Sequence, residues 1–353
     1  MYKIGIIGLG LMGGSLAKAF SKLEEVEKIV AYDKNEEALE KAKQDGTVQE
    51  IAHEIDKKFQ NLDFIFICTP VNTIYEYAQK LKEIVNKKCI ISDIGSTKKN
   101  IVEQIDKLDL NFVGAHPMIG SEKYGYEFSK EDLYVDSYYL LTKTGKTKSE
   151  NIQRIKELLG KIRAIPLEID LDRHDFSVGV VSHVPHIVAS GLVNLARNLD
   201  DENKTMKTIA AGGFKDITRI ASANSHMWQN ICQQNKEEIV VILEEFENII
   251  KEFKNNIGSS EKTYKYFETA KNHRDSFISK NKVDYVTVKV KNKAGVLAEI
   301  TTICAQNSIN ICNINVLRTK EKEDGIIKIL FENEEEKEKS IELLKKHGYE
   351  VSV

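Results

Sequence analysis

The chain has 353 residues, of which 41% are apolar, and 51 Lys plus Arg face 54 Asp plus Glu for a formal net charge of −3. That length implies two or three domains, and that apolar content excludes wholesale disorder. The near balance of charge offers no general field for nucleic acid or an anionic membrane, so neither is expected as a partner.

The N-terminus "MYKIGIIGLG" runs directly into a strand pattern, without the charged leader and cleavage site of a signal peptide. Strands and helices then alternate. "KIGIIGLG" reads as a strand, "MGGSLAKAFSKL" as a helix, "KIVAYD" as a strand and "NEEALEKAKQDG" as a helix stopped by glycine. "LDFIFICTP", "CIISDIGS" and "NFVGAHP" read as further strands, and "SYYLLT" and "AIPLEI" bracket the helix "KSENIQRIKELLGKI". This alternation predicts a parallel sheet with helices on both faces, over residues 1–170.

From about Asp170 to Asn281 no convincing strand pattern is found, which predicts an all-helical domain over 171–281. Within it, Phe176 to Ala196 carries no Asp, Glu, Lys or Arg and is long enough for a membrane span. It also holds two histidines, a proline, three serines and an asparagine, so a buried helix of a soluble domain or dimer is the expectation. Further on, Ile239, Leu243, Phe246, Ile250, Phe253 and Ile257 recur at helical spacing, giving a long amphipathic helix whose apolar face packs within the chain or on a second copy.

The last section, 284–353, changes period again. "DYVTVKVKN" alternates Val286, Val288 and Val290 with polar residues. "AGVLAEITTICAQN" is a helix, "INICNINVLRTK" and "GIIKILF" are strands joined by an "EKEDG" hairpin turn, "EEKEKSIELLKKHG" is a helix and "YEVSV" closes. The order is βαββαβ, a ferredoxin-like pattern. The five cysteines, Cys68, Cys89, Cys232, Cys304 and Cys312, are scattered and form no CxxC pair. They point to a reducing, cytoplasmic setting and away from a disulfide framework or thiolate metal site, so no metal is expected.

Several motifs carry chemistry. G-x-G-x-x-G occurs as Gly8, Gly10 and Gly13, after a strand and at the opening of a helix, which is the context that motif requires. Gly8 permits the turn, Gly10 lets backbone approach a pyrophosphate, Gly13 allows close packing, and the helix start holds phosphates. Leu9, Leu11 and Met12 between them, and Thr69 and Pro70 after "LDFIFIC", complete the candidate cofactor contacts. Asp33, twenty positions past Gly13, would accept from a ribose 2′-OH and repel a 2′-phosphate, which favours NAD over NADP.

"SDIGSTKK" ends a strand where open α/β sheets hold ligands, making Ser96 a candidate hydrogen-bonding residue or else a helix cap. His116 in "GAHPMIG" sits at another strand end, stiffened by Pro117, and is a candidate general base. "SHVPHIV" puts His183 and His186 at i, i+3 on one helix face, suited to substrate or cofactor contact or to a buried core. "AAGGFKDITRIA" supplies Gly212, Lys215, Asp216 and Arg219, of which the arginine fork suits a carboxylate. An Asp216–Arg219 surface pair is the plainer alternative there, and Trp228 serves either packing or a pocket wall.

The ordered set "GLGLMGGSLA", "SDIGSTK", "GAHPMIGSE", "SHVPH" and "GGFKDITRIA" followed by "MW" resembles the prephenate dehydrogenase family over roughly Met1 to Asn281. The tail resembles an ACT domain, a small ligand-sensing module, through "KNKAGVLAEI" and "INICNINV". The resemblance implies a Rossmann-type NAD domain, a helical substrate and dimerisation domain, and a homodimer. It implies that His116 accepts the ring hydroxyl proton of prephenate and that Ser96 bonds near that hydroxyl. It places Arg219 on a substrate carboxylate, with Glu122, His183, His186, Gly212, Lys215, Asp216 and Trp228 lining the site. For the tail it implies tyrosine feedback, with Asn292, Ala294, Gly295, Val296, Leu297, Asn310 and Ile311 as the candidate ligand contacts. Rival readings are an arogenate dehydrogenase, a β-hydroxyacid dehydrogenase, and a non-catalytic NAD and amino-acid sensor that would have no need of His116.

Overall fold

The computed structural model describes residues 1–121, 123–279, 286–291, 293–318, 324–331 and 333–352. It divides into two compact units, residues 1–250 and 251–353, taken in turn.

The first unit opens with β1 (Tyr2–Ile7), α1 (Leu11–Ser21), β2 (Val26–Tyr32), α2 (Glu36–Gln44), β3 (Glu50–Ala52), β4 (Phe64–Ile67) and α3 (Ile74–Lys82). It continues with β5 (Ile90–Asp93), α4 (Lys99–Ile105), β6 (Phe112–Pro117), β7 (Tyr138–Lys143), α5 (Ser149–Lys161) and β8 (Ile165–Glu168). The strands form one sheet in the order β3-β2-β1-β4-β5-β6-β7-β8. Side chains alternate between its faces, as strand geometry requires. Ile4, Ile6, Ile29, Ala31, Phe64 and Phe66 enter a core with Leu16, Phe20, Ile155 and Leu159 of α1 and α5. Val30, Ile65, Ile67 and Ile91 enter a second core with Ile74, Leu81, Ile101 and Ile105 of α3 and α4. A sheet buried on both faces explains why these strands read as continuous apolar runs.

Two details depart from the expected parallel sheet. The short strand β3 has no clear signature in sequence, and β7 runs antiparallel to β6, with His116 opposite Leu140. Parallel neighbours need a crossover, usually a helix. Among the described residues, the connection from Met118 to Ser137 contains only one short 3-10 turn, at Tyr126–Phe128, and it returns β7 against β6 in the opposite sense.

Next come α6 (Leu171–Val178), a single π turn (Gly179–His183), α7 (Val184–Leu199), α8 (Thr205–Ile209), α9 (Gly212–Thr218), α10 (Ser225–Gln234) and α11 (Lys236–Asn256). Pro185 lies just after the π turn and, lacking an N–H, cannot continue the helical hydrogen bonding there, which accounts for the irregular turn before it. The expectation of a buried helix over Phe176 to Ala196, within a soluble domain or a dimer, is not met within one copy. Leu171–Leu199 is long and apolar enough to cross a membrane by length and composition, yet only 28% of its most apolar window is buried. Val180, Val181, Val193, Leu195 and Leu199 are exposed. The local core is small, built on Val184, Ile239 and Ile242 with Ile187 and Leu243 against it, and one copy has too little apolar mass to cover the helix. The stripe on α11 behaves likewise: Ile239 is buried, Ile250 is exposed, and Ile257 lies past the helix end and is exposed.

In the second unit, Phe253 packs on Tyr266 and Phe267 of α12 (Ser260–Ser279), at ring-centroid distances of 4.8 and 5.9 Å. There follow β9 (Val286–Lys291), α13 (Val296–Gln306), β10 (Ile311–Arg318), β11 (Asp324–Phe331), α14 (Glu334–Lys346) and β12 (Glu350–Ser352). This is the βαββαβ order read from sequence, in a sheet ordered β10-β11-β9-β12. Val286, Val288 and Val290 are buried with Ile300, Ile303 and Leu344 of the two helices. Most of the "EKEDG" turn lies outside the described residues.

Candidate active site

The C-terminal ends of the first sheet's strands gather the site. At β1 the chain turns through Gly8, whose φ is +100°, and Gly8 N donates to Tyr32 O at 2.7 Å. A Cβ on Gly13 would stand 1.9 Å from Gly8 O, so only glycine lets α1 pack there. A Cβ on Gly10 would meet no atom within 4 Å, and no side chain caps α1. The first-turn N–H groups of α1 are thus capped by no side chain, and backbone at Gly10 has room for a pyrophosphate to approach. Asp33, just past β2, accepts hydrogen bonds from Leu9 N and from Asn35 N, so its carboxylate lies against the glycine turn. Leu9 itself is buried, and its N–H is taken by Asp33 rather than left for a ligand. Thr69 and Pro70 follow β4 at the point where the strand order reverses, and Thr73 Oγ1 bonds Thr69 Oγ1 at 2.9 Å. These residues fit a dinucleotide in the manner expected of NAD.

His116 ends β6, 8% exposed. Its Nδ1 lies 3.1 Å from Nε2 of His174, whose Nδ1 lies 2.7 Å from Oδ1 of Asp175. Asp175 also accepts from Lys98 N at 2.7 Å and Lys99 N at 3.0 Å. The hydrogen-bond chain fixes the protons in order. A carboxylate only accepts, so His174 Nδ1 carries hydrogen and donates to Asp175. Burial first, then the charge of Lys98, lowers the His174 pKa, although Asp175 opposes that shift. Neutral His174 thus accepts at Nε2, His116 donates from Nδ1, and His116 Nε2 is left with a bare lone pair. Burial first, and then electrostatic interaction with His174, Lys98 and His183, hold the His116 pKa well below the usual imidazole value, so that lone pair stays bare.

Behind this chain lies a buried ion pair. Lys98 and Asp93 have fully buried side chains and are in contact. Asp93 further accepts from Gly95 N at 2.8 Å and Ala115 N at 2.9 Å, tying the loop that carries Ser96 to the strand that carries His116. Ser96 is half-buried in that loop and does not cap α4, whose first helical turn has no side-chain cap.

The helical segment supplies the opposite wall. His183 is buried, and its ring meets Trp228 edge-on at 6.0 Å. His186 stacks on the same indole at 3.9 Å and donates from Nδ1 to Ser182 O at 3.0 Å. Burial first, and then the charge of Arg219, lower the His186 pKa, and Arg219 opens a 3-10 turn (Arg219–Ser222) that packs against α7. The structure thus joins His116, His183, His186 and Trp228, with Arg219 adjoining. Gly212, Lys215 and Asp216 lie exposed on α9, and Glu122 falls outside the described residues. Sequence reading missed Asp93, Lys98, His174, Asp175 and Asn235. The pair "HD" at His174 and the charged Asp93 and Lys98 in "SDIGSTKK" were the available signals, each ordinary on its own.

In the second unit, Gly295 (φ +92°) turns the chain into α13 beside Ala294, Val296 and Leu297, and Asn292 is outside the described residues. Strand register separates the candidate contacts. Lys291, before that turn, pairs with Asp324, while Ile311 pairs with Phe331 at the other end of β11. Asn310 and Ile311 therefore sit at the opposite end of the sheet from the 294–297 turn, and one copy does not bring them into a single site.

Residues 16–166 match the family model described as prephenate dehydrogenase, nucleotide-binding domain, and 170–272 match its dimerization domain. Residues 286–348 match an AHAS small subunit-like ACT domain. A prephenate dehydrogenase of Bacillus subtilis (strain 168) is 33% identical over 346 residues, 95% of this chain and 93% of the relative. The chain belongs to the prephenate dehydrogenase family. A solved prephenate dehydrogenase of Aquifex aeolicus, in complex with hydroxyphenyl propionate and NAD+, aligns with a TM-score of 0.75 at 33% identity, over 78% of this chain and 98% of that one. A cyclohexadienyl dehydrogenase of Zymomonas mobilis is 28% identical over 74% of this chain and 90% of its own length.

Proposed function

We propose that the chain oxidises and decarboxylates prephenate to 4-hydroxyphenylpyruvate with NAD, in tyrosine biosynthesis. The observation that carries this reading is the Asp175–His174–His116 chain, which ends in a bare Nε2 at the sheet edge that also carries the glycine turn. Bound NAD supplies the hydride acceptor. His116 Nε2 takes the proton of the ring hydroxyl as the hydride leaves the same carbon. The bond from ring to carboxylate then breaks, carbon dioxide departs, the electron pair completes the aromatic ring, and the ring oxygen takes back its proton from His116. Aromatisation drives the step, so the residues chiefly orient substrate and handle one proton. Asp175, through His174, offsets the positive charge that His116 acquires. Ser96 bonds the reacting hydroxyl, Arg219 holds a substrate carboxylate, and His183, His186 and Trp228 line the ring, with Glu122, Gly212, Lys215 and Asp216 in supporting contact.

The first assay is NADH formation with prephenate and, separately, with arogenate. Higher kcat/KM on prephenate is expected. Preference for arogenate would keep the mechanism and change the substrate, and no turnover of either would sink the assignment.

We take the functional form as a homodimer, supported by the dimerization-domain match and by the exposed apolar side chains of α7. The five free thiols support a cytoplasmic setting. We take the domain limits as 1–170, 171–281 and 284–353, a division supported by three separate family matches in the same order. The ACT-like tail would bind tyrosine as feedback inhibitor between two copies, since its two candidate contact groups sit at opposite ends of one sheet and β10 is an edge strand. Removing residues 284 onward should abolish tyrosine inhibition while turnover survives. Inhibition that persists would move the tyrosine site to the active centre.

A further inference from the structure

The helical wall of the site has a residue that no motif singled out. Asn235, between α10 and α11, is 3% exposed. Its Nδ2 lies 2.9 Å from the backbone carbonyl of Asp175 and 2.9 Å from Nδ1 of His183. The carbonyl settles which way the amide points, because a carbonyl oxygen only accepts and the NH2 group must face it. The second hydrogen of that NH2 then points at His183 Nδ1, which must be an acceptor. A neutral imidazole with an accepting Nδ1 carries its hydrogen on Nε2. Burial holds the His183 pKa down at about 4, so the ring is neutral near pH 7 and has only that one N–H.

Where that N–H goes is the informative part. His183 Nε2 and Trp228 Nε1 are both buried with no hydrogen-bond partner among the described residues. Buried donors are ordinarily satisfied, and an unmet one costs about 1–3 kcal/mol. Two unmet donors on neighbouring rings, tied through Asn235 and Asp175 to the His174–His116 chain, suit an oxygen-bearing substituent of the substrate.

We propose that Asn235 is a positioning residue that locks His183 as an Nε2–H donor, so that His183 and Trp228 together bind oxygen atoms of the substrate. The proposal rests on the prephenate reading above for the identity of the substrate but not for the proton position. Asp175 then serves both walls. Its carboxylate, through His174, leaves His116 Nε2 as a bare base, and its carbonyl, through Asn235, leaves His183 Nε2 as a donor. One residue gives two histidines opposite polarity.

The test begins with the full-length wild-type protein labelled with 15N-histidine. His183 signals are assigned by their loss in a His183→Gln variant. The expected spectrum shows a protonated Nε2 and a bare Nδ1 for His183. Protonation at Nδ1 instead would overturn the proposal, whatever the substrate. In Asn235→Ala the His183 signals should become those of a tautomer mixture, and KM for prephenate should rise about 10-fold, the worth of one hydrogen bond. kcat should fall by less, and NAD affinity should hold. In Asn235→Asp the carboxylate raises the His183 pKa, so KM should become pH-dependent and climb as His183 loses its proton. A folded Asn235→Ala protein with wild-type KM would also overturn the proposal. If Asn235→Ala does not fold, the wild-type spectrum still decides. A wild-type enzyme with the expected tautomer but no turnover of prephenate would retire the substrate and leave the proton position standing.

Discussion

The sheet half of the first unit and the helical half that follows it solve burial differently. In residues 1–168 the central strands are covered on both faces from within the chain, and Ile4, Ile6, Ile7, Phe66 and Ile67 are all fully buried. In residues 171–250 the helices are as apolar, but Leu195, Leu199 and Val181 are 54%, 61% and 67% exposed. The difference teaches where each half gets its stability: the sheet half from its own core, the helical half from something that covers it. The proposed active site is shared between them, with the proposed base on a strand of the sheet half and the proposed substrate-facing donors on the helical half.

The largest expected effect separates chemistry from folding. His116→Asn should lower kcat by about 10²–10⁴-fold, the usual contribution of a positioned general base. NAD affinity and thermal midpoint should stay close to wild type, because the side chain ends a strand whose packing partners are untouched. Near-normal turnover would remove His116 from the mechanism. A large drop in thermal midpoint would make it structural.

Lys98→Met sharpens the same contrast from inside the sheet half. Breaking one side of a buried ion pair costs about 3–5 kcal/mol, and Asp93 would be left with a buried charge. Urea unfolding should show that loss. The ammonium also helps to lower the His116 pKa, so without it the acid limb of kcat should move to higher pH. An unmoved limb would mean that burial alone sets the base. A double change, Lys98→Met with Asp93→Asn, should recover part of the stability but not the position of the limb.

Leu195→Glu with Leu199→Glu tests the helical half. Both side chains are exposed in one copy, so its secondary structure should survive. Sedimentation should shift from dimer to monomer, with activity falling as the helices lose their cover. Comparable charges at Ile6 or Phe66 would unfold the sheet half outright. A dimer that tolerates both glutamates would place the interface elsewhere.

Much of this was legible in sequence because the relevant signals are local. The glycine turn, Asp33 and the strand runs are each fixed by a few consecutive residues, and the valine alternation of β9 survives into the fold. The antiparallel return of β7 was not legible, since strand sense depends on the path of a loop with no periodicity. Nor was the exposure of α7, because an apolar helix looks the same whether its own chain or a second copy covers it. His174, Asp175 and Asn235 were missed for another reason. Their meaning lies in contacts across 58 and 52 positions, from His116 to His174 and from His183 to Asn235. Each looks ordinary until the fold brings it to its partner.

The smallest effect concerns the seam where those partners meet. His116, His174 and His183 all have lowered pKa values in the folded chain, His183 to about 4, with burial as the first cause in each. In the unfolded chain they titrate near the ordinary 6.5. Below that pH the unfolded state binds protons that the folded state refuses, so folding loses stability as pH falls. The stabilisation is complete above about pH 6.5 and drains away through the window down to about 4, by about 1.4 kcal/mol per pH unit for each histidine fully engaged. The Asp175 pKa is lowered too, and its own contribution is lost only below the ordinary carboxylate range, so it leaves this window to the histidines. Urea midpoints at pH 7.5, 6.5, 5.5 and 4.5 should therefore fall with increasing slope, and His183→Gln should flatten the fall by one histidine's share. A flat profile across that window would mean that the seam opens to water, and the donor and base polarities derived from its dryness would go with it.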